Sequence, residues 1–238
     1  MSYCLNPNCS KPQNPPTVKL CKNCRSKLLL RDRYRAIKPI GQGGFGRTFL
    51  AVDEDKPSKP RCVIKQFLPD SQLIPSSVDR NSKKAAQLFE QEAMRLDELG
   101  KHPQIPELLA YSIQDNRQYV VQEFIDGQNL AQIVEQEGTF TETQIKDLLN
   151  SLLPVIHFIH SHNVIHRDIK PGNIIHRADK QLVLVDFGAA KIATGTALLK
   201  TGTSIGSPEY IAPEQARGKA FFTSDLYSLG VTCLYLLT

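Results

Sequence analysis

Apolar and polar positions alternate over residues 34–40, a period of two that predicts a half-buried strand, and a second strand-like run at residues 47–52 follows a glycine-rich turn. Residues 62–65 (Cys-Val-Ile-Lys) form a third strand beyond a polar tip with two prolines, and residues 66–81, rich in Pro and Ser, predict a loop. Spacing then turns helical over residues 82–99: Leu88, Phe89 or Met94, Leu96 and Leu99 make one stripe, and Gly100 stands as the C-cap. Strands at 108–112 and 119–124 flank a turn at Asp115-Asn116. Thr141-Glu-Thr-Gln144 is a capping box, after which Ile145, Leu148, Leu149, Leu152, Leu153, Ile156 and Ile159 recur at i, i+3, i+4. Pro154 predicts a bend or a loosened turn in that helix. The pairs Val164-Ile165 and Ile174-Ile175 predict two short strands that hold a loop at both ends, and residues 181–185 a buried strand. Residues 189–205 show no period, and residues 226–237 present an apolar helical face. Strands dominate the first half and helices the second, which is an α+β pattern.

At 238 residues and 41% hydrophobic content the chain can bury a sizeable core. No stretch approaches the ~18 uninterrupted apolar residues of a membrane span. The start, Met-Ser-Tyr-Cys-Leu-Asn-Pro, has no basic-then-apolar signal, so the expectation is a cytoplasmic protein without a membrane span. The net charge of +5 is local, because residues 1–35 hold eight Lys and Arg against one Asp. Without interleaved aromatics that patch predicts no nucleic-acid partner; it reads as a solvated face or as an offset to anionic cysteines beside it.

Four of the six cysteines, Cys4, Cys9, Cys21 and Cys24, give C-x4-C-x11-C-x2-C across a Pro- and Asn-rich stretch too short to bury a core of its own. Four thiolates at tetrahedral reach would bind a structural Zn²⁺ in a ribbon-like module over residues 1–30. Disulfide or redox-sensing pairs and inert thiols are the alternatives. Four cysteine ligands leave no open coordination position, which excludes a catalytic metal. Cys62 and Cys233 lie in apolar contexts and read as buried small hydrophobes.

The densest chemistry lies between Val164 and Ile175, where His166, Arg167, Asp168, Lys170 and Asn173 crowd into eight residues. Such a loop offers a carboxylate that can accept a hydroxyl proton, a lysine that can follow a migrating phosphoryl group, and an amide oxygen for a hard cation. Gly41-Gln-Gly-Gly-Phe-Gly46 is followed by a strand, whereas a dinucleotide fingerprint needs a helix there and a P-loop needs Gly-Lys-Ser/Thr. Residues 181–188 end a buried strand in Asp186-Phe-Gly188, with Asp186 eighteen residues after Asp168.

The H-R-D-x-K-P-x-N spacing, the glycine turn, the lysine strand and the D-F-G end together resemble eukaryotic-type protein kinases. The cysteine prefix with Leu30-Arg-Asp-Arg-Tyr-Arg35 is similar to the four-cysteine serine/threonine kinases of cyanobacteria. The resemblance covers residues 34–238. It implies a two-lobed kinase fold, with an antiparallel sheet and one helix in an N-lobe at about 34–122. A mainly helical C-lobe at about 127–238 would follow, and the zinc-ribbon-like module would precede both.

The implied activity is transfer of the ATP γ-phosphoryl group to Ser or Thr hydroxyls of protein substrates, with autophosphorylation among them. Asp168 would be the base, Lys170 would neutralise developing charge, and Asn173 and Asp186 would hold Mg²⁺, with Mn²⁺ as a substitute. Lys65 would pair the α- and β-phosphates and be held by Glu92, chosen over Glu90 by register against the family's Phe-x-x-Glu pattern. Gly41, Gly43, Gly44, Phe45 and Gly46 would fold over the phosphates, with glycine allowing the backbone close approach. Thr48, Val63, Gln122 and Ile175 would surround adenine, and the backbones of Glu123 and Ile125 would hydrogen-bond it. Thr48 and Val63 replace the usual valine and alanine, which narrows that pocket and makes it slightly more polar. Arg167 would pair with a phosphate on Thr194, Thr196, Thr201, Thr203 or Ser204. Ser207 stands where this branch usually has Thr.

The chain departs from the family most at Thr238, where further helices would follow. The expectation is a C-terminally truncated C-lobe in which Glu214 lacks its arginine and the 226–237 face lacks its cover. A non-catalytic interaction protein that binds nucleotide or a partner kinase is therefore the alternative reading.

Overall fold

The computed structural model describes residues 1–43, 46–68, 78–189, 191–192 and 207–238. Gly44, Phe45, Thr194, Thr196, Thr201, Thr203 and Ser204 lie outside the described residues, as does the side chain of Leu88. The chain divides into two compact units: Met1–Ala93 with Leu108–Phe124, and Met94–Glu107 with Ile125–Thr238.

In the first unit, β1 (Ser2–Tyr3) pairs with β2 (Gln13–Asn14) in the cysteine-bearing segment. A six-stranded antiparallel sheet follows, built from β3 (Leu29–Leu30), β4 (Tyr34–Gly43), β5 (Gly46–Asp53), β6 (Arg61–Phe67), β7 (Leu108–Gln114) and β8 (Arg117–Glu123). Its strand order is β3-β4-β5-β6-β8-β7. The turn between β7 and β8 falls at Asp115 and Asn116, whose φ values of 49° and 56° suit a two-residue hairpin turn.

Side chains alternate across β6, and this sets the layers. Cys62 and Ile64 join Leu5, Leu30, Tyr34, Phe49, Ala51, Tyr119 and Val121 in one core. Phe67 on the other face packs with Phe89, Ala93 and Val120. Phe89 belongs to α1 (Val78–Leu99), which begins four residues before the predicted Ser82. Of the alternatives for its stripe, Phe89 is buried and Met94 is half exposed. Gly100 ends the helix at φ 62°, with its amide on the Asp97 carbonyl. Residues 1–30 group with the sheet, because Leu5 is part of its core.

The second unit carries β9 (Gly127–Asn129) leading into α2 (Leu130–Glu137), where Asn129 and Gln132 form a reciprocal cap. α3 (Glu142–Ser161) opens on the predicted Thr141–Gln144 box, and the helix continues through Pro154. Its buried face is Ile145, Leu148, Leu152, Val155, Ile156 and Ile159. Leu153, which the sequence assigns to the stripe, is 43% exposed, and Val155 takes its place.

β10 (Val164–Ile165) pairs with a later strand at Lys191–Ile192. β11 (Ile174–Arg177) lies between β9 and β12 (Leu182–Leu184), and β13 is the Lys191–Ile192 strand. α4 (Pro213–Ala216) and α5 (Phe222–Leu237) complete the described chain. No helix among the described residues is long and apolar enough to cross a membrane.

Two expectations at the C-terminal end fare differently. Glu214 has a partner, since Ser224 Oγ donates to its Oε1 at 2.6 Å. The sequence could not show this, because Ser224 reads as one of many hydroxyls at a helix start. On α5, Leu226, Tyr227, Leu234, Tyr235 and Leu237 remain exposed, as the apolar face predicts.

Candidate active site

In the first unit β6 presents Lys65 toward α1, where its Nζ meets Glu92 Oε1. Glu92 is buried and Glu90 exposed, so of the two glutamates it is Glu92 that meets the lysine. Thr48 stands opposite Lys65 in the β5–β6 register, and Val63 stands opposite Gln122 across β6 and β8. Val63 and Gln122 are buried and the Glu123 side chain is exposed; Ile125, which belongs to the second unit, is buried. The glycine turn closes with Gly43 opposite Gly46 and Gly41 opposite Thr48. A Cβ on Gly46 would lie 2.0 Å from the Gln66 carbonyl oxygen, so only glycine fits there.

In the second unit a single carboxylate shapes the loop between β10 and β11. Asp225 at the start of α5 is fully buried, and accepts the His166 amide on Oδ2 (2.9 Å) and the Arg167 amide on Oδ1 (2.8 Å). His160 Nε2 also meets Oδ2 at 2.8 Å. His160 is largely buried, unlike a surface histidine of an exposed helix face. It lies four residues after the buried Ile156, a spacing that marks the same helix face. The His166 ring packs edge-on against Phe187 at 4.7 Å, and burial holds its imidazole below its ordinary value.

Both oxygens of Asp168 are engaged. Oδ1 accepts the Ser207 amide (2.9 Å) and hydroxyl (3.0 Å), while Oδ2 accepts Asn173 Nδ2 (2.8 Å) and faces Lys170 Nζ at 3.0 Å. Lys170 Nζ also donates to Ser207 Oγ at 2.6 Å. A serine hydroxyl therefore sits between a carboxylate that takes its hydrogen and an ammonium that contacts its oxygen. Asn173 spends its nitrogen on Asp168, which leaves its amide oxygen for a cation. The Val185 amide donates to the Asn173 carbonyl, bringing the chain just before Asp186 against that asparagine. Asp186 itself is exposed, with φ 67°, a costly value for a residue other than glycine. An amide oxygen and a carboxylate are the hard donors Mg²⁺ requires. Ile175 is half-buried on β11, opposite Asn129 and Val183.

Arg167 is buried, its backbone has φ 71°, and Gln215 Nε2 donates to its carbonyl at 2.7 Å. Among the described residues its Nε has no hydrogen-bond partner, and burial lowers the guanidinium's pKa. Such a cation suits an anion brought to it.

The four cysteines of the N-terminal segment converge as their spacing predicts. Their Sγ atoms lie within 4.8 Å of one another, with Cys4 to Cys24 at 3.5 Å and Cys9 to Cys21 at 3.7 Å. A tetrahedral zinc site with Zn–S near 2.3 Å separates its sulfurs by about 3.8 Å. Asn14 Nδ2 donates to Cys21 Sγ at 3.4 Å and Asn23 Nδ2 to Cys9 Sγ at 3.5 Å, the outer donors that anionic sulfur needs. Against the burial that opposes it, hydrogen bonding from Ser26 brings the Cys24 thiol down to about 6. Cys62 and Cys233 are buried, and burial pushes the Cys62 thiol up to about 12. Of the basic stretch, Arg33 pairs with Asp53, Arg35 with Glu54 and Lys27 with Asp32.

Comparison with known proteins agrees with this geometry. The model of the protein kinase domain matches residues 34–238. The chain is 45% identical over its whole length to "Serine/threonine-protein kinase B" of Synechocystis sp., covering 42% of that protein. It is 47% identical over 88% of its length to "Serine/threonine-protein kinase C" of the same organism, covering 40%. Against "Serine/threonine-protein kinase PknA" of Nostoc sp. it is 45% identical over 88% of its length, covering 38%. The chain thus spans less than half the length of these relatives. A kinase-domain match running from β4 to the end of α5, over a loop whose aspartate and lysine meet on one hydroxyl while its asparagine donates to that aspartate, means that this chain belongs to the protein kinase family.

Proposed function

We propose that the chain is a serine/threonine protein kinase that transfers the γ-phosphoryl group of ATP to protein hydroxyls. The observation that carries this reading is the seat of Ser207 Oγ between Asp168 Oδ1 and Lys170 Nζ. An incoming Ser or Thr hydroxyl placed in the same way would give its proton to Asp168 as its oxygen bonds the γ-phosphorus and the bond to ADP breaks. Lys170 would offset the negative charge spread over the transferring oxygens. Lys65, steadied by Glu92, would grip the α- and β-phosphates under the glycine turn of Gly41, Gly43, Gly44, Phe45 and Gly46. Thr48, Val63, Gln122 and Ile175 would line the adenine, with the backbones of Glu123 and Ile125 as its hydrogen-bond partners. Asn173 and Asp186 would hold Mg²⁺, which neutralises phosphate charge when bound.

Arg167 supports control by phosphorylation of residues 194–204 by the same or another copy, since its buried guanidinium suits a phosphate. Cys4, Cys9, Cys21 and Cys24 would hold a structural Zn²⁺ that staples residues 1–30. Reduced thiolates of this kind belong to a reducing compartment, which supports the cytoplasm. The test is phosphate transfer from labelled ATP to the chain and to a generic Ser/Thr substrate, run beside Asp168→Asn. Incorporation lost in the variant is expected. No incorporation by the unaltered chain, with ATP·Mg²⁺ still raising its melting temperature, would favour the non-catalytic reading.

A further inference from the structure

Lys65 and Gln66 are neighbours on β6 whose side chains leave opposite faces of the sheet. Lys65 meets Glu92, whereas Gln66 is fully buried on the face that receives the cysteine segment. Its Nε2 donates to the Leu5 carbonyl (2.7 Å) and to Tyr119 Oη (2.9 Å). Its Oε1 accepts Arg47 Nη2 at 2.8 Å, and the same Nη2 donates to the Leu5 carbonyl at 3.1 Å. Arg47 is the residue after Gly46, stands opposite Gln66 in the β5–β6 register, and lies over the Phe49 ring at 5.2 Å. Tyr3 packs against the same ring.

Leu5 directly follows Cys4. A metal that fixes Cys4 therefore fixes the carbonyl on which Gln66 Nε2 and Arg47 Nη2 converge. Charge points the same way: Arg47 has no carboxylate partner among the described residues, and four thiolates around a divalent ion leave a net negative charge for it to balance. Burial lowers its pKa, which a nearby negative charge would offset. Around the cysteines themselves the segment has only a small apolar cluster at Leu28, while Leu5 and Leu30 pack into the sheet core. Withdrawal of the Leu5 carbonyl would strand Gln66 and Arg47 donors in a buried site, which the strands must shift to relieve.

We infer that Gln66 and Arg47 clamp the Leu5 carbonyl so that metal at the four cysteines holds the strands bearing the glycine turn and Lys65 in their ATP-binding arrangement. Gln66 and Arg47 are positioning residues in this scheme. The inference rests on the readings that the cysteines hold zinc and that Lys65 binds ATP.

The test uses the full chain and three readouts: bound zinc by mass spectrometry, ATP·Mg²⁺ affinity by calorimetry, and hydrogen exchange of the β6 amides. Zinc removal is expected to weaken ATP binding on the order of tenfold and to speed β6 exchange. Gln66→Leu with zinc bound is expected to do the same, and chelation should then add little. Zinc loss from a still-folded chain with unchanged affinity and exchange would overturn the inference, as would additive effects of chelation and Gln66→Leu. Where Gln66→Leu fails to fold, Gln66→Glu keeps the acceptor for Arg47, removes the donor to Leu5, and serves the same comparison. A chain that takes up no zinc when supplied with it would defeat the metal reading and with it this coupling. A zinc-loaded chain that binds no ATP would defeat the nucleotide reading, and β6 exchange with and without zinc would still decide the clamp.

Discussion

His160 reaches across from α3 to the buried Asp225 of α5, its Nε2 2.8 Å from Oδ2. That carboxylate also takes the amides of His166 and Arg167, so the backbone just before Asp168 hangs from it. Asp225→Asn substitutes a donor for one acceptor oxygen and leaves a buried amide unsatisfied, which costs about 1–3 kcal/mol. A lowered melting temperature in calorimetry and a larger fall in kcat than in ATP affinity are expected. His160→Gln, which keeps a donor, should show a smaller loss of both; a variant Asp225→Asn as stable and active as the unaltered chain would refute this account.

Ser207 ties the chain at residue 207 to Asp168 through its amide and hydroxyl. Ser207→Ala removes a hydroxyl shared by a carboxylate and an ammonium, an interaction of about 1.5–3 kcal/mol. Steady-state kinetics should show kcat reduced by about ten- to a hundredfold. Ser207→Thr should restore it, and equal loss in both variants would mean that the hydroxyl is not what matters.

Gly46→Ala would drive a methyl group to within 2.0 Å of the Gln66 carbonyl. Relief requires the β5 and β6 backbones to part, at a cost of about 1–3 kcal/mol. The expected result is a lower denaturation midpoint together with weaker ATP binding. Gly138→Ala, where no atom lies within 4 Å of the added Cβ, controls for backbone strain at positive φ, because φ is 88° there.

Asp53 gives a pH signature. Hydrogen bonding from Arg33 holds its carboxyl below the ordinary value. A carboxyl depressed in the folded state contributes stability that is full above the unfolded value of about 3.9 and is lost as pH falls through the lower folded value. Asp53→Asn should therefore be less stable than the unaltered chain at pH 7, with the gap closing as the pH drops below about 4. Urea midpoints at pH 7, 5 and 3 measure this; a gap that widened in acid would contradict it.

Features set by neighbours in sequence were legible without the structure. The Thr141–Gln144 box, the Asp115–Asn116 turn and the crowding of Asp168, Lys170 and Asn173 depend on residues a few positions apart. The choice of Glu92 over Glu90 came from the Phe-x-x-Glu pattern of the family the chain resembles, and Glu92 is the one that meets Lys65. What escaped depends on distant partners. Asp225 lies 58 residues from Arg167, and Leu5 lies 61 from Gln66, so no local period could join them. Leu153 and Val155 were exchanged because neighbouring apolar side chains compete for the edge of one stripe, and tertiary packing chooses between them.

The alternation along β6 bears on how this chain can change over generations. Positions 62, 64 and 66 answer to the face that receives the cysteine segment, and positions 63 and 65 to the opposite face, where Lys65 meets Glu92. A lineage that discarded its cysteines would need compensating replacements at the even positions, where a buried amide and its arginine would otherwise be orphaned. The odd positions could stay as they are. Drift on one face of this strand is thus insulated from selection on the other, and ancestral records of gain or loss of the cysteine segment should be written in alternate residues.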